Sequence, residues 1–378
     1  MRSRAALATL AVAATIILPA TPAHADRIRD DQWHLRFLKV AEAHRITQGE
    51  GVVVAVPDTG VDPHPDLRNN LLPGTDIIAG GSGDGRQDPN SHGSGMAGLI
   101  AAHGQEGNSG ALGIAPKAKI LPIMASSREN IGSADSLAAA IKFATSKGVG
   151  VISISSGGGS NTDLHTAVEA ALAADIVVVA AAGNHPQDFV VGYPARHPGV
   201  IAVGGVDRKG NHATVSVTGR EIAVVAPATD IYSTSMNGKY RKGTGTSNST
   251  AIVAGAVALI RAKYPDLSAA EVTHRLTATA VDKGAPGRDD EYGYGVIDLV
   301  AALTADVPPL AGQPATASAS AEVTPTTTAA GPEAEGDDDT MRWLLAAGGL
   351  AVLGGGAAWA LAARRRRRAG TAPTPTGG

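Results

Sequence analysis

The stretch GTSNST (245–250) runs straight into the apolar segment AIVAGAVALI (251–260). Four of its six residues carry hydroxyls: Thr246, Ser247, Ser249 and Thr250. An uninterrupted apolar run after a polar cluster predicts a buried helix that begins near Ser247. Serine is a favoured N-cap, because its oxygen satisfies a backbone N–H of the first turn. The same place offers free N–H groups and the positive end of the helix dipole, which suit an anion forming on a substrate. Ser247 therefore reads either as a cap or as a nucleophile, and position alone does not separate the two.

Upstream, short apolar runs alternate with helical patterns. GVVVAVP (51–57), AKILPIM (118–124), GVISIS (150–155), DIVVVAAA (175–182) and VIAVGG (200–205) have the continuous apolar character of strands buried on both faces. SADSLAAAIKFATSKG (133–148) and TDLHTAVEAALAA (162–174) have the spacing of amphipathic helices. The alternation predicts an α/β fold with a mostly parallel sheet and helices on both faces. Such sheets bind ligands beyond the carboxyl ends of their strands. Three further polar residues fall where that rule directs attention. Asp58 follows VVVAVP, His92 lies in NSHGSGMAGLIAAHG, and Asn184 follows IVVVAAAG. Each alone has a plain structural reading: an Asx-turn, one of 11 histidines, a turn asparagine. Together with Ser247 they supply a complete chemistry. A serine hydroxyl needs a base within hydrogen-bond reach, and the base needs a group that fixes its tautomer and stabilises its charged form. An asparagine amide is a suitable donor to an oxyanion.

Composition narrows the alternatives. The formal net charge of −3 does not favour a nucleic-acid partner. The chain has no cysteine, which excludes disulfides, thiolate metal sites and a cysteine nucleophile. Only 3% of residues are aromatic, so the core must be built from Ala, Val, Ile and Leu. Both ends carry address segments. Arg2 and Arg4, the apolar stretch after them and Ala23-His24-Ala25 read as a secretory signal peptide over 1–25. Residues 306–340 turn to Pro, Ala, Thr, Ser and Glu without apolar period and read as a disordered tether. The apolar segment 343–363, with Trp343 and Trp359 near its ends, matches the roughly 20 residues of a membrane helix. Arg364 to Arg368 open a basic tail, 364–378, that the positive-inside rule places in the cytoplasm. The remainder, 26–305, reads as one globular domain outside the cell.

VAVPDTGVDPHPDL, SHGSGMAGLIAA, VVVAAAGN and GTSNSTAIVAGAVALI together resemble the Asp, His, Asn and Ser blocks of the subtilisin-like serine proteases, in that family's order. YGYGVIDLVAAL (292–303) resembles the segment that closes such domains. The resemblance implies that Ser247 attacks the scissile carbonyl, that His92 carries the proton, and that Asp58 orients His92. It implies an oxyanion site at Asn184 and the Ser247 N–H. SISSGG (153–158), with Ser155 and Gly157, would pair with an extended polypeptide substrate. The interval from Asp26 to Asp58 is too short for the folding-assisting prodomain of secreted subtilisins. Instead DDQWHLRFLKVAEAHRITQGEGV, the core of an N-terminal extension over 26–50, resembles that of the mycosins. These are membrane-anchored relatives associated with type VII secretion in actinobacteria. The overall layout is similar too, and it implies a membrane secretion complex as partner.

Several positions depart from the family pattern. Pro57 precedes the aspartate, Ser94 and Met96 follow His92, Ala251 replaces a proline, and Ser156 replaces a leucine beside the cleft. Mycosins often carry disulfides, and this chain has no cysteine. None of these departures touches Asp58, His92, Ser247 or Asn184. The resemblance implies no catalytic cofactor and leaves a structural calcium open. Two competing functions remain: a scaffold subunit whose proteolysis is dispensable, and a pseudoprotease that binds peptides uncut.

Overall fold

The computed structural model describes residues 25–310, except 79, 81, 128–132 and 158. The expected membrane span at 343–363, the tether beyond 310, the basic tail and nearly all of the signal peptide lie outside the described residues. Among the described residues no helix is long and apolar enough to cross a membrane.

Three short helices open the chain: α1 (Ala25–Asp31), α2 (Trp33–Phe37) and α3 (Val40–Ala43). Seven strands then form one sheet: β1 (Val53–Asp58), β2 (Thr75–Asp76), β3 (Lys119–Met124), β4 (Val151–Ile154), β5 (Val177–Ala181), β6 (Ile201–Val206) and β7 (Ile222–Pro227). Their order is β2-β3-β1-β4-β5-β6-β7, and every neighbouring pair is parallel. The order reverses direction at β1. The chain builds outward on one side through β3 and β2 and on the other from β4 onward. A crevice at the carboxyl end of β1 follows from that topology, and Asp58 is the last residue of β1. Two further strands, β8 (Ile231–Thr234) and β9 (Tyr240–Gly243), make an antiparallel hairpin.

The five predicted strands are present, each within a few residues of its sequence limits. Their doubly buried character comes from alternation across two cores. Val54, Val56, Val177 and Val179 face one core, while Ala55, Val178 and Ala180 face the other. The first core lies under α4 (His92–Ala101) and α7 (Thr246–Lys263), with α8 (Ala269–Ala278) and α9 (Leu299–Thr304) at its margin. The second lies under α5 (Ala134–Ser146) and α6 (Thr162–Ala173). Both of these helices start where their caps dictate. Ser133 and Ser136 exchange reciprocal side-chain bonds to each other's N–H at 3.1 and 2.8 Å, and Asn161 Oδ1 accepts from the Leu164 N–H at 2.8 Å. Helix α7 is buried on every side from Asn248 to Ile260, which explains why its sequence shows no polar face.

The N-terminal extension is part of the first core. Trp33 and Leu35 are buried in it, and the Trp33 indole donates to the Thr229 carbonyl at 3.1 Å. The Gln32 amide bridges two segments: it donates to the Leu112 and Tyr232 carbonyls at 3.0 and 3.2 Å and accepts from the Leu112 N–H at 2.8 Å. Arg29 donates to the Ser109 and Gly110 carbonyls at 2.9 and 3.1 Å. These bonds tie the extension to the loop 109–112 and to the hairpin. In a chain without disulfides it acts as a polar strap. Trp33→Ala should therefore lower unfolding stability by about 3–5 kcal/mol, read as a reduced midpoint in urea denaturation.

Candidate active site

Asp58 ends β1 with its side chain 3% exposed, and its Oδ1 accepts the following Thr59 N–H at 2.7 Å. His92 opens α4, and its Nδ1 sits 2.8 and 2.9 Å from the two carboxylate oxygens of Asp58. An ionised carboxylate only accepts hydrogen bonds, so Nδ1 must carry the proton. Nε2 is then the free lone pair of the neutral ring, available to take a proton from elsewhere. The Asp58 charge raises the His92 pKa above its ordinary 6.5; burial opposes the shift, and Asp88 supports it. A base that must accept and hold a proton during a reaction gains from such a partner.

Asp88, which the sequence reading did not single out, holds the two segments together. Its Oδ1 accepts from the Thr59 hydroxyl at 2.8 Å and from the Asn90 and Ser91 N–H groups at 2.9 Å each. Its Oδ2 accepts from the Ser94 N–H at 2.9 Å and the Ser94 hydroxyl at 2.7 Å. The Thr59 hydroxyl in turn accepts the Gly93 N–H at 3.0 Å, and the Ser94 hydroxyl accepts the Asp62 N–H at 2.9 Å. The loop after β1 and the start of α4 are thus joined on both sides of the Asp58–His92 contact. Ser94, a departure from the family pattern, keeps a hydroxyl where the network needs one. DPNS before His92 was the available signal, as an aspartate loop ready to cap the helix behind it.

The start of α7 answers the question posed by GTSNST. The N-cap is Gly245, with no side-chain cap, so Ser247 is not the cap residue. Gly245 has φ 154°, and a Cβ there would come within 3.2 Å of Asn184 Oδ1. The other hydroxyls of the cluster are tied inward. Thr246 donates to the Gly183 carbonyl at 3.2 Å, Ser249 to Ala226 at 2.9 Å and Thr250 to Thr246 at 2.9 Å. Those three residues are buried, whereas Ser247 is half-buried at the rim. Its hydroxyl donates to the Ser155 carbonyl at 2.8 Å, and the Ser155 hydroxyl donates back to the Ser247 carbonyl at 3.3 Å.

Asn184 lies beside the same helix end. Its Oδ1 accepts the Thr246 N–H at 2.8 Å, and that bond fixes which end of the amide is oxygen. Nδ2 is consequently a donor pointing elsewhere. The structure thus joins Asp58 to His92, Ser247 to Ser155, and Asn184 to the first turn of α7. Gly157 lies on the exposed loop after β4. With Pro57, Ala125, Leu137, Ser156 and Tyr193 it lines a groove beside the carboxyl ends of β1 and β4. Among the described residues no group of three His, Asp or Glu side chains is placed to hold a metal.

A parallel α/β sheet with a carboxylate–imidazole pair, a rim serine at a helix start and a fixed amide donor fits the class of the serine hydrolases. The model of the subtilase family matches residues 49–295, and the chain belongs to that family of serine proteases. It is 40% identical over 260 residues to subtilisin DY of Bacillus licheniformis, covering 68% of this chain and 92% of that protein. Among solved structures it is similar to the mycosin MycP1 from Mycobacterium smegmatis, with TM-score 0.67, 30% identity, and 73% of this chain and 85% of that one covered. It is also similar to a chain of the periplasmic assembly from the ESX-5 inner membrane complex, with TM-score 0.68, 32% identity, and coverage of 79% and 90%. The α/β fold and the mycosin likeness read from the sequence are both upheld.

Because Asp58 stabilises the imidazolium, protonated His92 persists above the ordinary histidine range, and the neutral base is lost as pH falls through the raised value. The rate of peptide hydrolysis should therefore rise with pH along a limb whose midpoint lies above 6.5. Asp58→Asn should move that midpoint down and lower the plateau, as read from kcat/KM against pH.

Proposed function

We propose that the chain is a membrane-tethered serine endopeptidase that cuts polypeptides outside the cell and works at a type VII secretion complex. The observation that carries the catalytic part is the Asp58–His92 contact at 2.8 and 2.9 Å on the rim that also bears Ser247. In the proposed cycle the Ser247 hydroxyl swings from the Ser155 carbonyl to His92 Nε2. Its oxygen bonds to the scissile carbon while its proton passes to Nε2, and Asp58 holds the resulting imidazolium. The carbonyl oxygen becomes an oxyanion that accepts from Asn184 Nδ2 and from the Ser247 N–H, which as an early helix N–H has no partner within the helix. The C–N bond then breaks, and the amine leaves with the proton from His92. Water attacks the acyl group by the reverse sequence, with His92 taking its proton, and Ser247 is regenerated. Gly157 lines the groove in which an extended substrate would lie, strand-like, beside β4, and Ser155 would offer its backbone at the end of that strand.

The tethering rests on the sequence: a signal peptide at 1–25, a protease domain over 26–305, a tether at 306–340, a span at 343–363 and a cytoplasmic tail at 364–378. The secretion-complex partner rests on likeness to MycP1 and to the ESX-5 periplasmic assembly. That second neighbour also favours another reading, in which the domain is chiefly a structural member of such an assembly.

A fluorophosphonate probe should label the wild-type chain and leave Ser247→Ala, folded by circular dichroism, unlabelled. A folded wild type that resists labelling would favour the structural reading. Asn184→Ala should reduce kcat by about 100- to 1000-fold with a smaller change in KM, a magnitude already known from subtilisin and not one calculated for this chain. Full-length protein should sediment with membranes, and a chain ending at residue 342 should be released into the soluble fraction.

A further inference from the structure

Arg241 lies on β9 and is half-buried. Its Nη1 is buried and has no hydrogen-bond partner, and among the described residues the side chain forms no direct ion pair. A buried cation without a paired anion is unfavourable, so its presence calls for a compensating field. Two glycines make room for it. A Cβ on Gly95 would approach Nη1 to 2.7 Å, and one on Gly243 would approach Nη2 to 2.9 Å. Gly95 is three residues after His92 on α4 and shares its helix face. The guanidinium therefore lies along the face of α4 that carries the imidazole.

The charges that face His92 are Asp58 from β1, Asp88 from the loop ahead of α4, and Arg241 from β9. The two carboxylates act on Arg241 as well and offset the effect of its burial, which by itself lowers the guanidinium pKa. Arginine nonetheless stays protonated. Two buried carboxylates around one imidazole both favour its protonated form and raise its pKa. A general base works best when its pKa lies near the operating pH. One fixed positive charge behind the pair offsets part of that pull.

We propose that Arg241 is a positioning residue of the protease site, a fixed cation behind Asp58 and His92 that leaves the imidazole free to act as a base closer to neutral pH. The role rests on the reading of His92 as the general base, but its electrostatic content can be measured without catalysis. The histidine rings of the full-length chain in detergent, labelled with carbon-13, are titrated by NMR, with His92 assigned from a His92→Gln sample. In Arg241→Met the His92 midpoint should rise by about one pH unit, and in Arg241→Lys by less. Fluorophosphonate labelling of Arg241→Met should be slowed most at low pH, by up to about tenfold at pH 6, with the deficit shrinking as pH rises. An unchanged His92 midpoint in folded Arg241→Met overturns the proposal. Should Arg241→Met fail to fold, Gly95→Ala decides: it keeps the charge but displaces the guanidinium, and its midpoint must also rise. A midpoint that rises in Arg241→Met while the wild type never labels would uphold the electrostatic effect of Arg241 on His92 and refute the nucleophile reading.

Discussion

A carboxylate held against an imidazole at the edge of an apolar core is the interaction on which the arrangement of this site depends. Asp58 is buried, and a buried charge is tolerated only when its oxygens are occupied. The Thr59 N–H and the His92 ring occupy them. That requirement fixes where β1 ends, where α4 begins and which ring nitrogen carries the proton. Asp88 then locks the two segments with hydrogen bonds to Thr59, Asn90, Ser91 and Ser94. The strand reversal at β1 supplies the location, and the polar network supplies the orientation.

Much of this was legible in the sequence because it follows from local pattern. Strands buried on both faces must be apolar throughout, so β1, β3, β4, β5 and β6 stood out as continuous runs. Strand β7, with the similar sequence IAVVAP, went unassigned. The residues at strand and helix ends were legible for the same reason, since Asp58 and Asn184 close apolar strand runs and His92 and Ser247 stand just ahead of apolar helical runs. What the pattern could not express is contact between distant segments. Asp88 reads as one more loop aspartate until its five donors converge on it. Arg241 sits in an ordinary hairpin strand, and only its approach to Gly95, far away in sequence, gives it meaning. The orientation of the Ser247 hydroxyl toward Ser155 is a rotamer choice, which no sequence pattern records.

The GTSNST cluster shows how one segment meets two demands. A helix as buried as α7 must satisfy its first-turn polar groups internally: Thr246 and Ser249 do so through carbonyls of neighbouring segments, and Thr250 through the Thr246 carbonyl one turn back. Ser247 is thereby left at the rim with its hydroxyl on a single carbonyl bond. A similar economy marks the other end of the domain. Arg29, Gln32 and Trp33 secure loops through side-chain bonds to backbone carbonyls in a chain that has no cysteine to cross-link them. Stability and function use the same device, polar side chains spent on backbone groups of another segment.

The central claim is that Asp58, His92, Ser247 and Asn184 operate as one catalytic unit. A crystal structure of the protein with a peptidyl boronate tests it most directly. The account predicts a tetrahedral boron bonded to Ser247 Oγ, with that oxygen turned from Ser155 toward His92 Nε2 and one boronate oxygen within hydrogen-bond distance of Asn184 Nδ2. A boronate bound in the groove without a bond to Ser247, while the Ser247 hydroxyl stays on the Ser155 carbonyl, would contradict it.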